Sequence, residues 1–590
     1  MLAHATSVRE DPEIWADAPA RFGLRPLLVD NADPAGEAIA IDYEAQLAAI
    51  GDVRLDNRED LRRELDAPAG STDLTLVLAL YRKSSRAGLD RLYGDYAFVI
   101  WDAPAKTAIC MRDHIGIAPF YYSWHDGRLV FSSQLEALAL GSGMPRVPDR
   151  ASVADFLDDM SKLPLDRTLL RGLRRLPGAH RMAVGADGPN VERWWFPQRC
   201  APVRLSSDAD YARGLRERLE DAVRARIPRH DAIGAHLTGG LDSSSVATIA
   251  ARDLRAEGRP TPRCFAWQPP PAPGSSELGH EHRIIESIVQ ADGFDVRYLS
   301  PEACDFVECL SIDPFVRPYD SALTHELGVM RAAQDNGIRV ILSGWGGDEC
   351  VSFNGRGTFA ALLLTGRLPQ FAQTARSVGR NPVRTAAATL KELARASAVD
   401  ATSFLPGRSA RGFRNRWFRP WHMRGGPPTI ERRPLRVRVA LLERGHIQSR
   451  IECWADSGAR HGIAYRYPLL DRRLLEYALG LPIEQFRRGK TNRYVMRNAV
   501  STILPEKIAW NPDKSEPVRV ERYIGALTKA MDEIGALPAF TEPNPVTEKF
   551  VDVARVEAAL HAGSQAIPGK RPPWIFGASR AVQLLGARSV

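Results

Sequence analysis

No run of 18 or more apolar residues interrupts the 590-residue chain, so a membrane-spanning helix is not expected. Cysteine is scarce: seven residues, at 110, 200, 264, 304, 309, 350 and 453, with no CxxC pair and no zinc-finger spacing. Their odd number and scatter exclude a disulfide framework, and they read as small buried hydrophobes. HExxH is missing as well, because His280-Glu281-His282 is spaced wrongly for two ligands on one helical face. The opening MLAHATSVREDPEIW has no basic segment followed by an apolar one, so no signal peptide is read and a cytoplasmic location is expected. Internal repeats and long low-complexity tracts are absent too. An excess of charge is lacking: 79 basic against 71 acidic residues leave +8, which does not point to a nucleic-acid partner. The excess is local. From Arg408 to Arg438 the chain is rich in arginine, aromatics and proline, with Glu431 the only acid. This stretch is either a solvated, irregular connection or an electropositive wall for an acidic ligand or peptide.

What is present divides the chain in two. Between 40 and 140, short β-like runs alternate with turns: YAFVIWD (96–102), TAICMRD (107–113), FYYSW (120–124) and RLVFSS (128–133). Helical patterns there are confined to Asp60–Glu64 and Leu74–Arg82. Leu176-Pro177-Gly178 and Trp194-Trp195-Phe196-Pro197 then lead into a polar, irregular stretch, which places a boundary near 200, between domains 1–200 and 205–590. Beyond 208 the rhythm changes. Helix 211–227 and strand AIGAHL (232–237) are followed by strands at 263–267, 295–299 and 338–343, alternating with helices near 280–291 and 323–335. That order predicts right-handed βαβ units in a doubly wound parallel sheet, and from about 356 the pattern is mainly helical.

The most informative segment is His236-Leu237-Thr238-Gly239-Gly240-Leu241-Asp242-Ser243-Ser244-Ser245, between a strand and a helix N-terminus. Two glycines let the backbone approach an oxyanion, the hydroxyls of Thr238, Ser243 and Ser244 add donors, and the helix N-terminus favours negative charge. Asp242 inside such a cradle would repel phosphate unless a divalent metal intervened, which points to a Mg²⁺–phosphate site. A second string, Ser343-Gly344-Trp345-Gly346-Gly347-Asp348-Glu349, follows an apolar strand where doubly wound sheets bind ligands, and Asp348 offers a second carboxylate. Gly489-Lys490-Thr491 mimics the end of a Walker loop, but Glu484 stands where the leading glycine belongs and no strand precedes it.

The loop resembles the SGGLDSS pyrophosphate loop of N-type ATP pyrophosphatases, with Thr238 in place of the first serine, and the second string resembles the SGxGxDE motif of their asparagine synthetase branch. Gly51-Asp52-Val53-Arg54, Gly94-Asp95-Tyr96-Ala97-Phe98, Arg112-Asp113, Gly116–Tyr122 and Phe131-Ser132-Ser133 resemble that branch's glutaminase half. The resemblance implies an α/β protein: an N-terminal αββα glutaminase-like sandwich, then a doubly wound parallel sheet with a helical extension. It also implies ATP and Mg²⁺, with Leu237, Thr238, Gly239, Gly240, Asp242, Ser243, Ser244, Phe265 and Gly344 on ATP and Asp242 and Asp348 on the metal. The chain departs from the amidotransferase pattern at Leu2, where those enzymes carry a nucleophilic cysteine, and its first cysteine, Cys110, reads as core strand. The N-terminal half is therefore expected to be a scaffold or docking surface.

Tyr467-Pro468-Leu469-Leu470-Asp471-Arg472, Arg493-Tyr494-Val495-Met496-Arg497 and the tryptophan in SGWGGDE look most like lasso peptide cyclases. The implied reaction adenylates an Asp or Glu side chain of a precursor peptide and closes a macrolactam with its N-terminal amine. Implied partners are that peptide and a leader-binding protease. Trp345 cannot accept a proton; it either packs on the sheet or shapes the acceptor pocket. Glu452 matches by position the glutamate used by β-lactam synthetase and is the candidate base, the alternative being a surface-helix residue. Lys514 matches a family lysine that would neutralise the leaving phosphate, and Arg493 takes the place of a second one. Rival readings are an ammonia-dependent asparagine synthetase, a β-lactam synthetase-like ligase, and an inactive scaffold for the peptide or its protease.

Overall fold

Alternation with a period of two sorts the N-terminal strands onto two faces. Strands β1 (Glu13–Asp17) and β2 (Ala20–Leu24) form a hairpin. Strands β3 (Ile39–Asp42), β4 (Leu47–Leu55), β5 (Gly94–Asp102) and β6 (Thr107–Arg112) belong to an antiparallel six-stranded sheet. A three-stranded sheet is built from β7 (Tyr121–His125), β8 (Arg128–Ser132) and β9 (Arg174–Arg175), and β10 (His180–Gly185) and β11 (Gly188–Arg193) complete the larger one. Ala48, Ile50, Ala97, Val99, Cys110 and Met182 share one core with Tyr122 of the smaller sheet and Phe120 just before it. The intervening residues Ala49, Tyr96, Phe98, Ile100 and Met111 face the other way, onto Leu74, Val77 and Leu78 of the helix Asp73–Gly88. Thr72 caps that helix by accepting the Thr75 N–H at 3.1 Å. Tyr121 turns outward to helices Leu135–Gly141 and Arg150–Asp158. The layers are thus helix, sheet, sheet, helix. This computed structural model describes residues 13–17, 20–24, 39–158, 163–229, 232–270, 279–317, 322–391 and 434–511, with scattered positions between 522 and 533.

The C-terminal half carries a fully parallel sheet of β12 (Ile233–His236), β13 (Arg263–Ala266), β14 (Val296–Tyr298), β15 (Val340–Leu342) and β16 (Ala464–Arg466), in the order β14-β13-β12-β15-β16. β12 is buried throughout, as a strand covered on both faces must be. Connectivity reverses between β12 and β15, which opens a crevice beyond their carboxyl ends. Strand β16 is an exception within the region after 356, expected to be mainly helical. Its three residues are too few to show a period in sequence, and they become a strand by pairing with the edge of β15.

Buried charges tie the halves together. Arg226, fully buried, bonds Asp471 at 2.8 Å and Asp95 at 3.1 Å, and Arg54 bonds Asp95 at 2.6 Å. Burial pushes the Asp95 carboxyl up, but Arg226 and Arg54 outweigh it and hold the group at about 2. A depressed carboxyl stabilises the fold fully above its unfolded value of 3.8 and loses that contribution as pH falls toward about 2. Unfolding free energy should decline in this window by on the order of 2 kcal/mol from this group, and Asp95→Asn should flatten that part of the acid limb. Chemical denaturation between pH 5 and pH 2 reads this out, and an unchanged limb in the variant would refute the assignment.

Candidate active site

Two loops at the crevice approach so closely that only glycine fits between them. A Cβ on Gly344 would lie 2.4 Å from the Ser243 nitrogen, and Gly346 adopts φ +93°, which β-carbons disfavour. The first loop leaves β12 and enters the helix Leu241–Ala256 with Gly240 as its N-cap. It is braced from within. Thr238 Oγ1 lies 2.7 Å from Ser243 Oγ and accepts the Gly240 N–H at 3.1 Å, while Ser244 Oγ donates to the Thr238 carbonyl at 2.6 Å. The three hydroxyls expected to meet phosphate therefore also set the loop's shape. Gly239 donates its N–H to Glu281 at 3.3 Å, and Leu237 donates its own to the Phe265 carbonyl at 2.9 Å.

Asp242 and Asp348, from the two loops, converge on one guanidinium. Arg493 Nη1 donates to Asp242 Oδ2 at 3.1 Å and to Ser352 Oγ at 3.3 Å, and Nη2 pairs with Asp348. Arg493 sits at φ 55° just before the helix Tyr494–Val500, a left-handed turn that points its side chain back at the loops. Two carboxylates within reach of one cation are a donor set that suits Mg²⁺, which takes one or two protein carboxylates and completes its shell with water and phosphate oxygens. Among the described residues no larger cluster of metal-ligating side chains occurs.

The cavity beside these groups has a volume of about 170 Å³ and is polar at one end, aromatic at the other. Thr238, Gly240, Asp242, Ser243 and Gly344 form the polar end. Phe265, Trp267, Trp345 and Trp454 line the rest, together with His236 and Ser343. The Arg450 guanidinium lies over Trp345 (4.8 Å) and Trp454 (5.6 Å). Trp345 is thus on the cavity wall and packed at once.

Glu452 is not brought to this cavity. It is fully buried on the helix Gly445–Arg460, where Oε1 meets Arg112 (3.2 Å) and Gln448 (2.9 Å) and Oε2 meets Arg175 (3.0 Å). A carboxylate held by two buried guanidinium groups of the other half is a structural tie rather than a surface residue. Lys514, Leu2 and residues 408–433 of the arginine-rich stretch lie outside the described residues. Arg438, at its end, is buried and bonds the carbonyls of Leu479 and Leu481 at 3.2 and 3.3 Å. Sequence reasoning passed over Trp267, Trp454, His236 as a side chain and Glu326 behind it. The only sequence signal was a histidine ending an apolar strand beside the glycine loop.

With this geometry in view, residues 214–578, more than half of the chain, match the asparagine synthase family, and residues 11–195 match a glutamine amidotransferase domain. The chain belongs to the asparagine synthase family. It is similar to glutamine-hydrolysing asparagine synthetase 3 of Bacillus subtilis, 26% identical over 42% of this chain and 41% of that one. Amidase chyE of Penicillium rubens is 27% identical over 55% of this chain and 49% of its own. A Mycobacterium bovis protein named for glutamine-hydrolysing asparagine synthetase is 25% identical over 80% and 74%. The chain spans about half the length of the first of these curated relatives. Among the described residues no helix is long and apolar enough to cross a membrane.

Removing the Glu452 charge leaves Arg112 and Arg175 buried without their counter-ion, so Glu452→Gln should cost about 3–5 kcal/mol of unfolding free energy. Urea denaturation measures this. A variant of wild-type stability that lost only turnover would return Glu452 to the reaction centre.

Proposed function

We propose that the chain is an ATP-dependent amide-bond-forming ligase acting as a lasso peptide cyclase. The observation that carries the reading is the convergence of Asp242 and Asp348 on Arg493, with Asp242 at the phosphate-loop end of a cavity lined for the rest mainly by aromatic residues. Backbone N–H groups at the start of helix Leu241–Ala256 favour the phosphates. Asp242 and Asp348 would hold Mg²⁺, which when bound offsets charge on the leaving pyrophosphate. Arg493 is the chain's own cation at that point, and Lys514 is assigned a matching role on the leaving phosphate.

In this reading an Asp or Glu side chain of a precursor peptide attacks the α-phosphorus, the bond to the β-phosphate oxygen breaks, and pyrophosphate leaves. The peptide's N-terminal amine then attacks the acyl-adenylate carbon and AMP departs. An α-amine with pKa of about 7.7–8.0 is partly neutral at physiological pH, so proximity does much of the work. Phe265, Trp267, Trp345 and Trp454 keep water from the adenylate. A leader-binding protease is the proposed partner that frees the amine, and the arginine-rich 408–438 stretch its proposed contact or the peptide's.

The test is pyrophosphate–ATP exchange by the full chain with Mg-ATP and linear peptides that carry a free α-amine and one Asp or Glu at successive positions. Exchange and a product lighter by one water are expected with peptide, and Asp242→Ala should lower exchange at least about 100-fold. Robust asparagine formation from L-aspartate and ammonium would instead make the chain an ammonia-dependent asparagine synthetase. An Asp242→Ala chain with full biological function would leave it a scaffold.

A further inference from the structure

Behind the cavity wall, polar side chains from four elements form one hydrogen-bonded line. His236, ending β12, and Ser343, following β15, both line the cavity. His236 Nδ1 lies 3.1 Å from Ser343 Oγ, and its Nε2 lies 2.9 Å from Glu326 Oε1. Glu326 is fully buried on the helix Leu323–Asp335, where it also accepts from the Tyr465 hydroxyl (2.5 Å) and from Trp267 Nε1 (2.9 Å). The partners fix where the hydrogens lie. Ser343 Oγ accepts the Trp345 backbone N–H at 3.2 Å and keeps one hydrogen of its own to donate, which a neutral imidazole protonated on Nε2 would accept at Nδ1. Glu326 already accepts from a phenol and an indole, and it takes the His236 Nε2 hydrogen as a third. His236 thus carries its hydrogen on Nε2 and presents a lone pair at Nδ1, behind a serine hydroxyl on the cavity wall.

Amide formation must remove one proton from the attacking nitrogen, and few groups here can take it. Trp345 has no basic atom, and Glu452 is held elsewhere between Arg112 and Arg175. Of the cavity-lining residues, only Asp242 carries a carboxylate and only His236 an imidazole, and Asp242 is engaged by Arg493. The phosphate loop and Ser343 face the same cavity, so a carbonyl attached to a phosphate at the loop has Ser343 and His236 on its wall. Resting on the ligase reading above, we propose that Ser343 and His236 are the proton exit for the attacking amine, with Glu326 as the positioning residue. As nitrogen bonds to the acyl carbon, Ser343 Oγ takes one of its protons and passes its own to His236 Nδ1. The imidazolium so formed faces the Glu326 carboxylate. The acyl carbon–oxygen bond then breaks, AMP leaves with the electron pair, and the proton goes to solvent when products depart.

The experiment compares two half-reactions in the full chain, using whichever carboxylate best supports pyrophosphate–ATP exchange. Adenylation is read by that exchange and by hydroxamate formation with hydroxylamine, a weakly basic nucleophile that loses its proton readily. Bond formation is read with the ordinary amine. In His236→Asn the amide rate should fall relative to exchange by about 100-fold, hydroxamate should fall far less, and Glu326→Gln should lie between. Equal loss of every readout would reduce the line to a structural network, and an unchanged amide rate would overturn the relay while leaving the ligase standing. Failure of the intact chain to exchange with any carboxylate would remove the ligase reading and the relay with it. Independently of substrate, ¹⁵N NMR of histidine-labelled protein, assigned with His236→Asn, should show the Nε2–H form, and an Nδ1–H form would overturn the proposal.

Discussion

The buried contact of Glu452 with Arg112 and Arg175 is the constraint on which the site depends. It fixes the helix Gly445–Arg460, which has two jobs. One side of that helix meets the N-terminal half through Glu452. Another carries Trp454 into the cavity and Arg450 over the indoles of Trp345 and Trp454. A surface ion pair would set such a helix only loosely, because water screens it and its side chains keep their freedom. Three charged groups removed from water have no comparable alternative partner, so the helix is committed to one position. Arg112 is itself immobilised by the carbonyls of Gly116, Ala118 and Leu176, at 2.7, 2.6 and 2.8 Å.

Within that frame, the site forms where the strand order reverses. Strands β12 and β15 are neighbours in the sheet although more than 100 residues separate them, and each ends in a glycine-bearing loop. The contact of Gly344 with Ser243 lets the two loops share a wall, and Asp242 and Asp348 come within reach of the same cation. Like charges brought together need a counter-charge, which Arg493 supplies. Its left-handed φ is the local strain that this arrangement tolerates.

The legible parts of the site were those encoded by neighbours in sequence. A glycine turn between an apolar strand and a helix is a local pattern, so the loop of Thr238 to Ser244 and the Ser343–Glu349 string could be read directly. Short β-like runs bounded by turns made β5, β6, β7 and β8 of the sandwich legible for the same reason. Pairs distant in sequence were not legible. His236 and Glu326 stand 90 residues apart, and Arg112 and Glu452 stand 340 apart. Nothing near Glu452 announces two arginines from another domain, and a glutamate within an amphipathic helix reads equally well as exposed. Strand β16 escaped because three residues carry no period, and Trp267 and Trp454 because an aromatic residue in an apolar run reads as core.

The same contacts say why the N-terminal half bears on the chemistry. Cys110 lies in the sandwich core, and burial pushes its thiol far above the usual range, so it offers no thiolate. Arg112 and Arg175, by contrast, reach across and hold the helix that closes the aromatic end of the cavity. His114 adds a contact at 2.7 Å to the Leu470 carbonyl, just beyond β16. Without the N-terminal half, Glu452 would be left a buried, uncompensated charge and the wall that Trp454 provides would be freed. Positioning the helix Gly445–Arg460 is by itself a physical role for this half.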